Sequence, residues 1–444
     1  MTSPSFTDAG PALPTSPMRR RVIAASIVGT ALEWYDYALY GLASALVFNK
    51  LFFPDLSPAV GTIASVATFA VGFIARPLGG IVLGNIGDKH GRKAVLVISL
   101  LMMGIATTLI GALPVYHSIG IAAPALLVLL RLIQGFGAGA EFGGSVVLSA
   151  EYAPQGKQGL FASTAQVGSE IGFLLSTAAF AAVQLLPEAA IESWGWRIPF
   201  LAGIVPVIVG LWLRLRISES PEYLRVKVAE HQPRVPMLDL LRTAPKDVLL
   251  AAGARLMDPP LGYIYTTFVT VYAVNTVGVD KQTILTGLMI ASGAGIFTVL
   301  LFGHLTDRFG TRRVYLFAAA FAALLSFPFY WMVNTGSPFI IFLALFLGTS
   351  VGKELNNAGQ AAYLTQMFEP RLRMSGVTLS RESVSALGGF IPVIGLALAN
   401  WAGGHYWPVA LMMCVMALIS FFCILASRPK PQAMPGAILT LAKG

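Results

Sequence analysis

Gly84-Asn85-Ile86-Gly87-Asp88-Lys89-His90-Gly91-Arg92-Lys93 is a short charged stretch, punctuated by glycine, between two long apolar runs. It returns in altered form as Gly303-His304-Leu305-Thr306-Asp307-Arg308-Phe309-Gly310-Thr311-Arg312-Arg313. Asp88 and Asp307 lie 219 residues apart, about half of the 444-residue chain. That period is too long for a stacked-repeat unit, so it reads as two copies of one large module in tandem.

The composition says where such modules live. Hydrophobic residues make up 56% of the chain and charged residues 11%, with a mean hydropathy of +0.72. A soluble domain carries roughly twice that share of charge, so a polytopic membrane protein is expected rather than two soluble domains. The net charge of +9 does not point to nucleic acid, because Lys and Arg fall in short groups between apolar runs. That is the positive-inside pattern of a membrane chain.

About twelve apolar runs approach the ~20 residues a spanning helix needs. They lie near 22–48, 58–83, 94–113, 121–149, 160–186 and 197–215, then near 248–278, 283–303, 314–333, 338–366, 376–400 and 406–426. The expectation is an all-α membrane protein with twelve transmembrane helices in two pseudo-symmetric six-helix halves. Residues 22–216 form the first half and 248–427 the second. A cytoplasmic N-terminus (1–21), rich in Ser, Thr and Pro up to Pro17, is expected to be disordered. A cytoplasmic linker (217–247) and a cytoplasmic tail (428–444) complete the chain. The run after Arg19-Arg20-Arg21 is too long for a signal peptide and contains Glu33 and Asp36, so it reads as a retained first span. With both termini inside, inner segments hold 22 of the 30 Lys and Arg, and outer loops hold Lys50 and Lys281, with Arg197 at a boundary. Cys414 and Cys423 lie nine positions apart in one run, about 13 Å along a helix, and predict buried thiols rather than a disulfide or a metal site.

Several motifs go further than architecture. They are Leu32-Glu33-Trp34-Tyr35-Asp36-Tyr37, Phe73-Ile74-Ala75-Arg76-Pro77-Leu78-Gly79-Gly80, Arg131-Leu132-Ile133-Gln134-Gly135, Gly139-Ala140-Glu141-Phe142-Gly143-Gly144, Trp194-Gly195-Trp196-Arg197-Ile198-Pro199-Phe200 and Glu219-Ser220-Pro221-Glu222-Tyr223. With the Asp88 loop, they resemble the metabolite:proton symporter family of the major facilitator superfamily. The first half is most similar to shikimate permeases, as in Ala45-Leu46-Val47-Phe48-Asn49-Lys50-Leu51-Phe52-Phe53-Pro54. The resemblance implies two halves related about the membrane normal, with a site near midplane. It implies proton-coupled uptake of a small organic acid, shikimate-like or a dicarboxylate or aromatic acid, across a bacterial inner membrane, by a chain functional as a monomer. An osmolyte symporter of the proline/betaine type is the alternative, with an exporter of the same fold behind it. The stretch after Ser427 is short, has prolines and shows no heptads, unlike the coiled-coil extension of osmosensing relatives. The second half departs from the pattern at Thr311, Asp258-Pro259-Pro260, Lys353-Glu354 and Ser380-Arg381-Glu382.

Charges within spans are functional candidates by default. Five are basic: Arg76, Arg131, Arg255, Lys353 and Arg381. The acidic set is Glu33, Asp36, Glu141, Glu170, Asp258, Glu354 and Glu382. A planar guanidinium grips a carboxylate with two parallel hydrogen bonds, which makes Arg76 and Arg131 the substrate candidates. A symporter needs a carboxylate that changes protonation, and Asp36, Glu33 and Glu141 are the candidates for proton coupling. Tyr40 and Tyr263 are candidates to line the cavity. Asp88 with Arg92, and Asp307 with Arg308, are the gating candidates. Each has a structural alternative: Arg76 as a packing residue beside Pro77, Asp36 as a fixed ion pair, the tyrosines as helix packing. Arg255, Lys353 with Glu354, and Arg381 with Glu382 are open between function and mutual neutralisation.

Other chemistries find no support. Gly135-Phe136-Gly137-Ala138-Gly139-Ala140 resembles a dinucleotide loop but lies inside a span, where small residues serve close helix packing. No phosphate-binding loop, nucleophile–base pair or metal-ligand spacing is present, so neither an enzyme nor an ATP-driven pump is expected, and no cofactor. Lipid, protons and the substrate are the expected partners. A sensor would need a signalling domain, and none is read.

Overall fold

The computed structural model describes residues 16–90, 92–139, 141, 156–215, 242–368 and 373–427. All regular secondary structure among them is helical. The first half of the chain folds as α1 (Ser16–Leu46), α2 (Pro58–His90), α3 (Arg92–Ala112), α4 (Ala122–Ala138), α5 (Gln158–Val183) and α6 (Glu188–Leu215). The second half folds as α7 (Pro245–Ala254), α8 (258–277), α9 (Lys281–Phe309), α10 (Thr311–Val333), α11 (338–367), α12 (Arg373–Gly388), α13 (Ile391–Trp401) and α14 (Trp407–Ala426). Met1–Thr15, most of the linker, the Glu219–Tyr223 motif and the tail lie outside the described residues. Helix α1 nonetheless starts at Ser16, inside the stretch whose composition predicts disorder. The apolar run behind Arg19–Arg21 carries the helix back through them, since Arg is a good helix former.

Eight helices among the described residues are long and apolar enough to cross a membrane: α2, α5, α6, α9, α10, α11, the pair α12–α13, and α14. Helices α3 and α4 supply shorter apolar stretches, Val97–Ala112 and Ala122–Ala138. Their outward faces are greasy. Phe297, Leu324 and Trp331 are 74%, 78% and 70% exposed. Apolar surface on that scale is an error in water and the norm against lipid tails.

The breaks are as informative as the helices. Residues 255–257 interrupt the seventh apolar run, and α8 restarts with Pro259 and Pro260 in its first turn. Proline has no N–H to give the preceding turn, so two in a row end one helix and begin another. A second break precedes Pro392, at Gly389 and Phe390. A side chain there would collide: a Cβ on Gly389 would stand 2.5 Å from the Phe73 ring, and one on Gly388 would stand 2.7 Å from Pro259. The C-terminal stop of α9 is Gly310, at φ 89°. Only glycine takes that conformation freely, which explains its place in the repeated loop.

The two parts of the sequence meet along a few helices. Helix α5 packs between α1 and α9 and also touches α11; α2 meets α12 and α13; α1 meets α8. Within the first part α2 lies so close to α4 that a Cβ on Gly135 would sit 1.7 Å from the Gly72 carbonyl oxygen. Glycine at that crossing lets the two backbones touch.

Candidate functional site

Helix α1 presents Glu33, Asp36, Tyr37 and Tyr40 at a spacing that puts all four on one face. All four are buried. Helix α4 answers with Arg131 and, three residues on, Gln134. The Arg131 guanidinium stands 3.6 Å from Asp36 Oδ2 and donates to Gln134 Oε1 at 2.9 Å and to the Phe69 carbonyl at 3.4 Å. Asp36 Oδ1 accepts from Gln134 Nε2 at 2.6 Å and from Thr107 Oγ1 at 2.5 Å. The Tyr40 ring lies 4.0 Å under the guanidinium, and its hydroxyl bonds Thr68 at 2.5 Å. Two atoms keep spare capacity, Asp36 Oδ2 and Arg131 Nε, neither with a hydrogen-bond partner.

A second group adjoins the first. Arg76 of α2 donates from Nη2 to Glu33 at 3.2 Å and from Nε to Glu382 of α12 at 3.1 Å. Arg381 follows at 4.0 Å from Glu33 and 3.7 Å from Glu382. Tyr37 joins the two groups. Its ring centroid is 5.3 Å from the Arg76 guanidinium and 5.6 Å from that of Arg131. Tyr263 of α8 packs edge-on to Phe69 and Phe73 at 5.3 and 5.4 Å, closing the same wall from the other part of the chain. Arg76, Arg131, Tyr40 and Tyr263 therefore converge on one place, beside both helix breaks.

Glu141 lies off this wall. It pairs with Arg214 of α6 and accepts from Ser99 Oγ at 3.2 Å. All the same, a cavity of about 20 Å³ is lined by Glu33, Asp36 and Glu141 together, with Leu32, Thr107 and Val207. That is room for one water molecule. The three proton-coupling candidates thus share one cavity wall.

The remaining intramembrane charges are partnered. Arg255 pairs with Asp258 at 2.7 Å, and Asp258 also accepts from Asn356 at 2.7 Å. Lys353 is 3.3 Å from its neighbour Glu354 and makes a closer contact with Glu170 of α5. Of the gating candidates, Asp307 accepts from the backbone N–H groups of Gly159 and Leu160, at 2.7 and 3.0 Å. It caps the start of α5 from the end of α9. Arg308 is exposed, its guanidinium 5.6 Å from the Phe309 ring. The side chains of Asp88 and Arg92 lie outside the described residues. Gln134 and Thr107 are site residues that sequence reasoning did not single out. Gln134 sits inside a quoted motif; Thr107 carries no such signal.

Comparison with known proteins agrees with this architecture. The family described as Major Facilitator Superfamily matches residues 21–391. The shikimate transporter of Escherichia coli K12 is 39% identical over 419 residues, covering 93% of this chain and 95% of that protein. The inner membrane metabolite transport protein YhjE of the same organism is 37% identical, covering 92% and 94%. The proline/betaine transporter of Escherichia coli K12 is 30% identical, covering 94% and 86%. Among solved structures, a D-xylose-proton symporter superposes with a TM-score of 0.71 over 93% of this chain and 98% of its own, at 18% identity, a likeness of fold alone. The charged loop, the spans and the buried arginine–carboxylate wall therefore have one home: this chain belongs to the major facilitator superfamily, within its metabolite:proton symporter family, and is a multi-pass membrane transporter rather than an enzyme.

Proposed function

We propose that this transporter imports a small organic acid anion together with protons, by alternating access of two six-helix halves. The reading takes α1, α3, α4 and the broken pair α7–α8 as the four spans beyond the eight that qualify on length and apolarity. It places residues 22–216 and 248–427 as the halves and 217–247 as the linker. Both termini are cytoplasmic, the membrane is a bacterial inner membrane, and the unit is a monomer.

One observation carries the reading: Arg131 and Asp36 face each other, buried, with a spare donor and a spare acceptor. An anion that takes Arg131 leaves Asp36 without its counter-charge. The carboxylate then binds a proton, because an unpaired charge in that setting is costly. A proton on Asp36 in turn frees Arg131 for the anion. Binding of anion and proton is thus mutually favourable, which is the linkage symport requires. Arg76 supplies the second cation, Tyr40 and Tyr263 the apolar wall for a ring, and Glu33 and Glu141 a path for the proton by way of the shared cavity. Asp307, with Arg308 at the end of the same helix and Asp88 with Arg92 in the matching loop, holds the cytoplasmic side closed.

Shikimate is the first substrate to try, ahead of dicarboxylates and aromatic acids. The relatives named for proline and betaine support a second reading, a zwitterion whose carboxylate meets the same arginines. The test is uptake of labelled shikimate into proteoliposomes under an inward proton gradient, with succinate, benzoate and betaine as competitors. Asp36→Asn is expected to abolish gradient-driven uptake while sparing exchange of labelled for unlabelled shikimate. Equal loss of both by Asp36→Asn would remove it from coupling, and competition by betaine alone would favour the zwitterion.

A further inference from the structure

The buried charge clusters can be balanced one by one. Asp36 faces Arg131, Glu141 faces Arg214, and Asp258 faces Arg255. Glu33 and Glu382 face Arg76 and Arg381. Each of these is neutral. The cluster of Glu170, Lys353 and Glu354 is not: two carboxyl groups surround one ammonium, and all three side chains are buried. Among the described side chains its surroundings do not make up the difference: α1, packed along α5, adds Glu33 and Asp36, each paired with an arginine. On α11 the further polar neighbour is Asn357, which donates to Glu354 at 3.2 Å. On α5 the neighbour of Lys353 is Phe173, an apolar ring 4.5 Å from the ammonium. The facing stretches of α9 (283–303) and α10 (314–333) contain no Asp, Glu, Lys, Arg or His. On α8 Asp258 belongs to Arg255, and on α12 Arg381 pairs with Glu33 and Glu382.

Two further observations show how the imbalance is met. Glu170 Oε2 is buried with no hydrogen-bond donor of the protein at hand. Both carboxyls reach the one Lys353 ammonium, Glu354 at 3.3 Å and Glu170 more closely, which holds the two acids side by side. Two carboxylates accept and cannot donate, so they can share a hydrogen bond only when one of them carries a proton. Like charges that close, away from water, do not both persist. Opposite them α9 has Gly295, where a Cβ would lie 2.4 Å from Glu170 Oε2; the glycine leaves the space the carboxyl occupies. A π-helical run from Phe346 to Lys353 ends at the cluster and aims the lysine across to α5.

We infer that Glu170 and Glu354 hold one proton between them across the contact of α5 with α11, making the Glu170–Lys353–Glu354 cluster a proton-carrying site in addition to Asp36. Its part in the cycle rests on the symport reading above. Opening the contact separates the carboxyls and hydrates them, and the proton passes to water. Closing it takes one proton back. No covalent bond other than O–H is made or broken.

The test uses the full-length protein in lipid nanodiscs at neutral pH, read by the infrared C=O stretch of protonated carboxyl groups. Glu354→Gln and Glu170→Gln are each expected to lose the absorption of one protonated carboxyl, leaving one carboxylate against Lys353. Lys353→Met is expected to gain one, since both carboxyls are then neutral. Gln variants that fold with an unchanged band would overturn the assignment, because both carboxylates would then be ionised in the parent. Should one Gln variant fail to fold, the other and Lys353→Met still decide. In proteoliposomes, Glu354→Gln is expected to blunt the response of shikimate uptake to an imposed membrane potential while sparing exchange. An unchanged response would remove the site from the cycle. If the parent carries no shikimate, the substrate reading falls, while the infrared result stands by itself.

Discussion

At the level of single residues the sequence was most legible where chemistry is expensive. Intramembrane charge is rare enough that each instance demands a partner, and the structure gives Arg76, Arg131, Asp36 and Glu33 one shared setting. What adjacency could not supply was the identity of the partners. Arg381 and Glu382 are neighbours in sequence and stand 3.7 Å apart, yet the shorter contact of Glu382 is to Arg76, 306 residues away. Consecutive helix positions point in different directions, so a neighbouring charge is seldom the main partner. Arg131 illustrates what depends on shape rather than charge. Its fork reaches Asp36, Gln134 and the Phe69 carbonyl while its plane lies on Tyr40. A lysine keeps the charge and loses the fork and the stack. Charge-assisted hydrogen bonds are each worth about 1.5–3 kcal/mol. Arg131→Lys is therefore expected to weaken shikimate binding by roughly 10- to 100-fold, measured by calorimetry on the detergent-solubilised protein. Unchanged affinity would move the anion site to Arg76.

At the level of elements, periodicity and run length located the helices, and local chemistry decided their ends. Pro259, Pro260 and Pro392 were visible in the seventh and eleventh runs, but that the chain breaks there, beside Phe73 and Tyr263, is a tertiary fact: only the packed neighbour shows why Gly388 and Gly389 must lack side chains. The repeated loop was legible because its residues do jobs of fixed geometry. Gly310 ends α9 and Asp307 caps α5. A side-chain acceptor at a helix start is worth about 1 kcal/mol, and a carboxylate there also meets the positive end of the helix dipole. Asp307→Ala is expected to release the end of α9 from the start of α5. Gly303 and Ser163 touch across that contact. A cysteine placed at Ser163, with Cys414 and Cys423 replaced by serine, reports it. Its alkylation by a maleimide should speed up about fivefold, the population shift that 1 kcal/mol produces. An unchanged rate would leave Asp307 as a cap with no part in closure.

At the level of the whole molecule, several charged bridges span the described contact between the two parts of the chain. Asp307 on α5, the Glu170–Lys353–Glu354 cluster, and the bond of Arg76 to Glu382 each cross it. These are places where closure can be undone by a proton or an anion without unpacking a core. On the symport reading, the number of protons such sites carry sets the driving force. A monoanion moving with one proton carries no net charge, and a pH gradient contributes about 1.36 kcal/mol per unit. A second proton makes the complex a cation, to which each 100 mV adds about 2.3 kcal/mol.

Glu382 has a particular place in this scheme, because it lays a carboxylate on Arg76 where a substrate carboxylate would lie. On the reading of Arg76 as an anion site, it is a resident competitor. Glu382→Gln removes that competitor and leaves Arg76 and Arg381 facing Glu33 alone, one positive charge in excess. An uncompensated buried charge costs about 3–5 kcal/mol, and an anionic substrate relieves it. The variant should bind shikimate at least tenfold more tightly, a modest fraction of that energy. It should also turn over more slowly, because release to the far side now restores the excess charge. Binding measured by calorimetry and counterflow measured in proteoliposomes should therefore move in opposite directions. A variant that both binds and exchanges more weakly would make Glu382 part of the substrate's own contact rather than its rival.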